Sequence, residues 1–279
     1  MIRILVDSSS DYTMEEVHAQ GMEFVPITIS LNGKSYRDGV DVTRDELYEN
    51  LMNGKEFPKT AQPSPEDFAK IFEDVKAKGD ELVCILLSSA LSGTFQSANI
   101  AKDMVDYDGI HIVDSLTATC AIRVLVQYAQ KLISEGVSAA EVAEKVTALI
   151  PRVRVGASLD TLEFLHRGGR LSLASAALGS LANIKPVVYV TSEGKVGMYS
   201  KNLGKMKAMK SVLAFAQEYE MDADFPFYSL YSYGSENCEK LEEKLRELGM
   251  NPQQRMQIGM TIGAHVGPGA AGVVYVKKA

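Results

Sequence analysis

The hydrophobic positions in the first half of the chain form short apolar runs that alternate with segments of helical periodicity. Apolar runs of strand length are predicted to be strands at 2–6, 23–31, 34–37, 82–87 and 110–113. Helices are predicted at 13–20, 43–52, from 64 onward, and at 94–104, 118–134 and 137–149. Alternation of this kind is typical of a mainly parallel sheet with helices on both faces.

The pattern changes after Pro151. Strands are predicted at 152–159, 186–191, 195–200, 226–233, 256–263 and 272–278, and helices at 172–182, 204–219 and 235–248. Hairpin-linked strands beside helices indicate a mixed sheet. The sequence therefore predicts an α/β protein of two domains, in which 1–154 form a mainly parallel sheet flanked by helices and 155–279 an α+β unit with a mixed sheet and helices.

Composition narrows the class of protein. The 279 residues are 46% hydrophobic and 23% charged, which is typical of a globular chain. Lysine and arginine number 29 against 36 acidic residues, a net charge of −7 that argues against nucleic-acid binding. The three cysteines have no metal or redox spacing, and no apolar run reaches the roughly 20 residues of a membrane helix. We expect a cytoplasmic protein without a metal or a cofactor.

Hydroxyl-bearing turns follow three of the predicted strands, at 7–11, 88–94 and 114–115. If these strands are parallel neighbours, the turns gather at one edge of the sheet, where hydroxyls and free N–H groups bind carboxylate or phosphate. Ser, Thr and Asp are also ordinary helix caps. For Ser92, Gly93 and Thr94 both interpretations stay open, because the glycine permits close approach to a ligand.

Three further segments carry candidate chemistry. In 59–65, two prolines stiffen the chain around Thr60, which suits either a binding site or a rigid helix entry. His265 stands among four glycines in 262–272, where it could donate to an anion, act as a base or cap the loop. Arg170 follows two glycines in 166–170, a pattern that fits phosphate binding or a solvated turn.

Six motifs follow one another along the chain. They are Asp7-Ser8-Ser9, Thr60-x-Gln62-Pro63-Ser64, Leu91-Ser92-Gly93-Thr94-x-Gln96-Ser97-Ala98, Gly168-Gly169-Arg170, Ile184-Lys185-Pro186 and Gly263-x-His265-x-Gly267-Pro268-Gly269-Ala270. Taken together, in order and spacing and over nearly the whole chain, they resemble the DegV family of bacterial fatty-acid-binding proteins.

The resemblance implies a Rossmann-like domain and a lipid-binding domain with one long-chain fatty acid, such as palmitate, stearate or oleate, at their interface. It also implies a non-catalytic carrier that presents the carboxylate to a separate ATP-binding fatty acid kinase subunit, with transient contact to a membrane surface. Carried over by position, the carboxylate site comprises Thr60, Ser92, Gly93, Thr94 and His265. Arg170 and Lys201 would form the patch that meets the phosphate or the kinase.

Two positions depart from the family pattern. The family usually has serine where this chain has Ala61, which removes one hydroxyl beside Thr60. An arginine common in the family near Leu203 is absent, so Lys201 or Lys205 would have to replace it.

Two other functions compete with the carrier. A serine hydrolase would use Ser92 as nucleophile and His265 as base, although the turn is not a Gly-x-Ser-x-Gly elbow and no acidic partner for the histidine is evident. A regulatory lipid sensor without a kinase partner would have the same sequence features as the carrier.

Overall fold

The computed structural model describes residues 1–54, 56–171 and 184–279. The strands are β1 (Ile2–Asp7), β2 (Glu23–Val25), β3 (Thr28–Leu31), β4 (Lys34–Arg37), β5 (Lys59–Ala61), β6 (Glu81–Leu86), β7 (Ile110–Asp114), β8 (Val153–Ser158), β9 (Ile184–Val190), β10 (Val196–Leu203), β11 (Tyr228–Tyr231), β12 (Gln254–Gln257) and β13 (Ala271–Val276). The helices are α1 (Met14–Ala19), α2 (Arg44–Asn53), α3 (Pro65–Lys78), α4 (Thr94–Val105), α5 (Cys120–Ser134), α6 (Ala139–Leu149), α7 (Glu163–Arg167), α8 (Lys205–Ala216), α9 (Glu236–Glu247) and α10 (Met260–Val266).

The first half contains a four-stranded parallel sheet in the order β2-β1-β6-β7. Phe68 and Phe72 of α3 pack on one face of it, and apolar residues of α5 and α6 pack on the other. Because both faces are covered, β6 is apolar almost throughout. The strands β1, β6 and β7 are adjacent and parallel, so the hydroxyl-bearing turns that follow them lie at one edge of the sheet.

A small antiparallel sheet in the order β4-β3-β5 stands beside the parallel one. The prediction of one strand over 23–31 is wrong, because the chain leaves the parallel sheet at Pro26 and begins β3 two residues later. Proline has no N–H to donate to a ladder. The predicted hairpin turn is confirmed: Asn32 and Gly33 both have positive φ, as a type I′ turn requires.

The second half forms a six-stranded mixed sheet in the order β10-β9-β8-β13-β11-β12. The helices α8 and α9 cover one face through a core that includes Phe215 and Leu241. The opposite face points toward the first half of the chain and shares its core. The predicted α/β class with a mixed second sheet is confirmed, whereas the domain boundary near residue 154 stays a prediction.

The structure corrects the sequence prediction in the C-terminal region. The strand predicted over 256–263 ends at Gln257, and α10 follows, so His265 lies in the last turn of a helix and not in a loop. Met260 and Ala264, four residues apart, are both buried against the side of α2. The short helix α7 was not predicted. The helix predicted over 172–182 lies outside the described residues.

Helix caps follow the sequence closely. Thr43 with Glu46 and Ser64 with Asp67 each form a complete capping box, and Pro65 occupies the first position of α3. Within the described ranges, no helix combines the length and the apolar character needed to cross a bilayer.

A buried hydrogen bond ties the turn between β9 and β10 to the first half of the chain. Ser88 Oγ donates to the Gly194 carbonyl at 2.8 Å, and the Ser88 side chain is fully buried. An unpartnered buried carbonyl costs about 1–3 kcal/mol.

We therefore expect Ser88→Ala to lower the free energy of unfolding by about 1–3 kcal/mol. Urea denaturation should show a lower midpoint with an unchanged slope. Ser89→Ala is the matched control, since Ser89 is exposed. Equal midpoints for the two variants would contradict a structural role for this bond.

Candidate functional site

A deep apolar cavity lies between the inner face of the mixed sheet and the turns at the edge of the parallel sheet. The space within its walls, including the part at its mouth that opens to solvent, is about 850 Å³. Most of the lining is aliphatic. It comprises Ile27, Leu87, Leu91, Ala118, Val155, Gly156, Ala157, Leu159, Leu165, Val188, Tyr189, Val190, Val196, Leu230, Ile258, Ile262 and Val266, together with Thr60, Ser92, Thr119, Arg170, Thr261 and His265.

Two of the predicted carboxylate ligands meet at the polar end of this cavity. Thr60 Oγ1 and His265 Nε2 are 2.9 Å apart. Thr60 is on β5, where alternation turns its side chain to the side opposite that of Ala61, which is exposed. A serine at 61 would therefore point away from the cavity, and its absence leaves the polar end intact.

Ser92 contributes a third polar group to the cavity from the turn after β6. Its backbone N–H donates to the Ser88 carbonyl, and its Oγ lies 2.9 Å from Thr94 Oγ1. Thr94 is fully buried at the start of α4, and among the described residues neither it nor Gly93 lines the cavity. Gly93 and Thr94 therefore contribute to the position of Ser92 and not to the cavity lining.

Position 93 requires glycine because the side chain of Gln62, from the Thr60 motif, packs directly against it. A Cβ at this position would lie 1.9 Å from Gln62 Oε1. The Gln62 amide nitrogen donates to Ser97 Oγ at 2.9 Å, so the side chain is held where it is. The Thr60 and Ser92 motifs thus pack directly on each other.

His265 is held in an apolar, tightly packed position. A Cβ at Gly168 would lie 2.2 Å from its Nδ1, so only glycine allows the ring this close to the turn after α7. Burial, and secondarily the charge of Arg170, lower the pKa of His265 from 6.5 to about 4. The imidazole is therefore neutral at pH 7.

Arg170 and Lys201, predicted to form one patch, lie on different elements: Arg170 follows α7 and Lys201 is on β10. Arg170 lines the cavity, and its guanidinium donates to the carbonyls of Leu91 and Gly168 at 2.9 and 2.6 Å. Lys201 is exposed on β10, and its register places it opposite Pro186, five residues along the strand from Val196 at the cavity. At about 3.3 Å per residue, that is roughly 16 Å.

The arrangement does not match a serine hydrolase. Ser92 is hydrogen-bonded to Thr94, and His265 to Thr60, so the presumed nucleophile and base do not contact each other. Within the described ranges, His265 Nδ1 is buried without a hydrogen-bond partner, so no carboxylate orients the ring.

Two of the polar side chains that line the cavity, those of Thr119 and Thr261, were not predicted from the sequence. Thr119 lies in a backbone conformation with φ 58° and ψ −156°, which glycine normally occupies, and its hydroxyl donates to Asp11. Thr261 is one helical turn before His265 on α10 and also lines the cavity. Recognition of α10 as a helix would have identified Thr261, because residues four apart share a helix face.

Metal chemistry finds no support in the part of the chain that the structure describes. It contains no group of three or more His, Cys, Asp or Glu side chains able to hold an ion.

Comparison with known proteins gives matches over the whole chain. The family model described as "Uncharacterised protein, DegV family" matches residues 1–278. A DegV domain-containing protein of Caldanaerobacter subterraneus is 37% identical over 279 residues, covering 99% of each chain.

Solved structures agree in fold. A Thermus thermophilus DegV family protein, described by its fatty acid binding, has a TM-score of 0.86 and 30% identity, with 99% of each chain covered. A stearic-acid-binding protein from Eubacterium ventriosum has a TM-score of 0.87 and 29% identity, covering 100% of this chain and 99% of that one.

The state of His265 can be tested directly. The pKa of the His265 side chain in the folded protein is about 4. In a histidine NMR titration, we therefore expect its ring resonance to stay that of neutral imidazole from pH 8 to about 5 and to titrate near pH 4. The sequence has four histidines, so the resonance is assigned by its loss in His265→Gln.

The same shift has a consequence for stability. Between about pH 6.5 and 4 the unfolded chain binds a proton at this position and the folded protein does not, so stability falls as the pH falls. His265→Gln should reduce that dependence, and an identical pH dependence in both proteins would contradict the buried neutral state.

Proposed function

The chain belongs to the DegV family, and on that premise we propose that it binds one long-chain fatty acid, with the tail in the apolar cavity and the carboxylate against Thr60, Ser92 and His265. The observation that carries the proposal is the apolar cavity whose lining includes the Thr60–His265 contact, with Ser92 and Arg170. A second polar requirement, a charge to balance the carboxylate, is met by Arg170 in the same wall.

The cavity suits the tail. Its lining is mainly aliphatic with a few polar side chains, which is the composition usual for small-molecule sites. Each methylene removed from water contributes about 0.8 kcal/mol, and the aliphatic walls demand no hydrogen bond from the ligand. Palmitate, stearate and oleate are the expected ligands, and stearic acid is the ligand named for the Eubacterium ventriosum protein.

The hydroxyl groups of Thr60 and Ser92 would donate hydrogen bonds to the carboxylate, and the tautomer of His265 determines whether the Thr60 proton is available. A protonated Nδ1 on His265 would be a buried donor without an acceptor beside Gly168, so we assign the proton to Nε2. That N–H then donates to Thr60 Oγ1, which leaves the Thr60 hydroxyl proton free to donate to the ligand. The Ser92 hydroxyl would turn from Thr94 to make a second bond.

Arg170 would supply the charge without a direct ion pair. Two of its donors are already bound to the carbonyls of Leu91 and Gly168, which fixes the guanidinium at the cavity wall. After burial, the positive charge of Arg170 is the second cause that lowers the pKa of His265. A ligand carboxylate bound next to His265 would be stabilised by the positive charge of Arg170.

We further propose that the bound acid is presented to a separate ATP-binding kinase, so that this chain is a non-catalytic, cytoplasmic carrier with its ligand between domains 1–154 and 155–279. Arg170 supports this, because it also lines an outer groove with Leu91, Lys195 and Val196, where a phosphate could meet it. Lys195 is the lysine of that groove, while Lys201 would act farther along the surface. Transient contact with a membrane would supply the acid.

The most direct test is chemical. Protein purified from a bacterial host should release long-chain fatty acid on denaturation and solvent extraction, detected by mass spectrometry. An empty extract, together with no binding of added palmitate or oleate, would rule out the proposal. Hydrolysis of a short-chain nitrophenyl ester that Ser92→Ala abolishes would favour the hydrolase instead.

A double variant tests the carboxylate site. Thr60→Ala with Ser92→Ala removes two hydrogen bonds to a charged group, each worth about 1.5–3 kcal/mol. We expect palmitate affinity, measured by calorimetry, to fall at least about 100-fold. Hexadecanol affinity should change far less, because the tail contacts remain. Ala61→Ser is the matched control and should leave both affinities unchanged. Equal losses for acid and alcohol would place the carboxylate elsewhere.

A further inference from the structure

The first turn of α10 is held by carboxylates from the other half of the chain. The Gly259 N–H donates to Asp11 Oδ1 at 2.7 Å. The Thr261 N–H and hydroxyl both donate to Asp38 Oδ2, at 2.8 and 2.6 Å. Asp11 and Asp38 are 1% and 2% exposed, so these bonds are sheltered from water.

These contacts replace the cap that the sequence does not supply. The residue before α10 is Gly259, which has no side chain to bind the free N–H groups of the first turn. Acidic groups at a helix N-terminus are also favoured by the helix dipole. The position of α10 is therefore set by residues 223 and 248 positions away in sequence.

The contact of Asp38 with Thr261 belongs to a chain of bonds that leaves little freedom of movement. The Ile27 N–H donates to Ser8 Oγ at 3.0 Å, and Ser8 Oγ is 2.8 Å from Thr261 Oγ1. Since the Thr261 hydroxyl donates to Asp38, it accepts from Ser8. Such buried chains of hydrogen bonds strengthen one another.

The positive charge of Arg44 partly balances the buried carboxylates of Asp11 and Asp38. Burial raises the pKa of Asp11 and of Asp38, and the nearby Arg44 opposes that rise in both. The Arg44 guanidinium also donates to the backbone carbonyls of Asp11 and Gln257, which lie on either side of the junction.

Asp38 is connected to the ligand site by Thr261, to which it is hydrogen-bonded and which lies one helical turn before His265. Thr261 and His265 are four residues apart on α10 and both line the cavity. His265 is in turn confined between Thr60 and Gly168. A rotation or shift of the first turn of α10 therefore changes the distance from His265 to Thr60.

We propose that Asp38 is a positioning residue for carboxylate recognition, which fixes α10 through Thr261 so that His265 stays hydrogen-bonded to Thr60. This inference rests on the proposed fatty acid site. It predicts that Asp38 acts through an acceptor oxygen and that its contribution to affinity depends on His265.

The test uses the full chain with palmitate and hexadecanol as probes. Asp38→Ala should weaken palmitate binding at least about tenfold and hexadecanol binding less than about twofold. Asp38→Asn should restore palmitate affinity to within about threefold of the wild type, because one amide oxygen can accept both bonds from Thr261. In a His265→Ala background, Asp38→Ala should have no further effect on palmitate affinity.

Several outcomes would overturn the inference. A purely structural role predicts equal losses for acid and alcohol, and additive losses in the His265→Ala background. If Asp38→Ala does not fold, Thr261→Val keeps the shape and removes the hydroxyl bonds to Asp38 and Ser8, while the Thr261 N–H bond to Asp38 remains. It should weaken palmitate binding about threefold more than hexadecanol binding. Equal weakening of both would again contradict the proposal.

A ligand-free measurement separates this inference from the proposed function. In the histidine NMR titration, release of α10 should move the His265 transition in Asp38→Ala, or in Thr261→Val, from near pH 4 toward pH 6.5. An unchanged transition would overturn the positioning role even if fatty acid binds. Absence of any lipid binding by the wild type would overturn the function and leave this readout intact.

Discussion

The hydrogen bond between Thr60 and His265 joins two polar groups of the cavity lining, and the geometry of the candidate site depends on it. Its partners are 205 positions apart in the chain. Thr60 lies on a short strand of the small sheet, and His265 lies on a seven-residue helix that follows the mixed sheet. The site therefore exists only when both halves of the chain are folded and docked.

Removing a carboxylate from water is costly unless donors replace the lost solvation. The groups gathered here are hydroxyls and a neutral imidazole, with one guanidinium in the wall. Because His265 is neutral at pH 7, Arg170 is the charged side chain among the described residues that line the cavity. A fully charged histidine beside that arginine would raise the cost of leaving the site empty.

Local sequence determined much of the fold. The turns after β1, β6 and β7 could be placed because apolar strands and capping residues mark them, whereas only the resemblance to the DegV family joined the Thr60 and Ser92 motifs in one expected site. The helix α10 could not be predicted in this way. Its glycines and β-branched residues resemble a strand and loop, and it is helical because Tyr48, Asp11 and Asp38, distant in sequence, pack against it and satisfy its N-terminus. Lys201 lay just beyond the predicted strand 195–200, whereas the structure places it within β10.

The contact between Gly168 and His265 limits how such a protein can change over evolutionary time. Any side chain added at 168 displaces the ring, and any smaller residue at 265 leaves a gap beside the glycine, so neither position can be exchanged first without loss. The aliphatic walls are under no such restriction, since swaps among Val, Leu and Ile that conserve volume are well tolerated. Under the proposed function, substitutions in the walls could therefore change the fit to the tail, while the end that would bind the acid group tolerates little change.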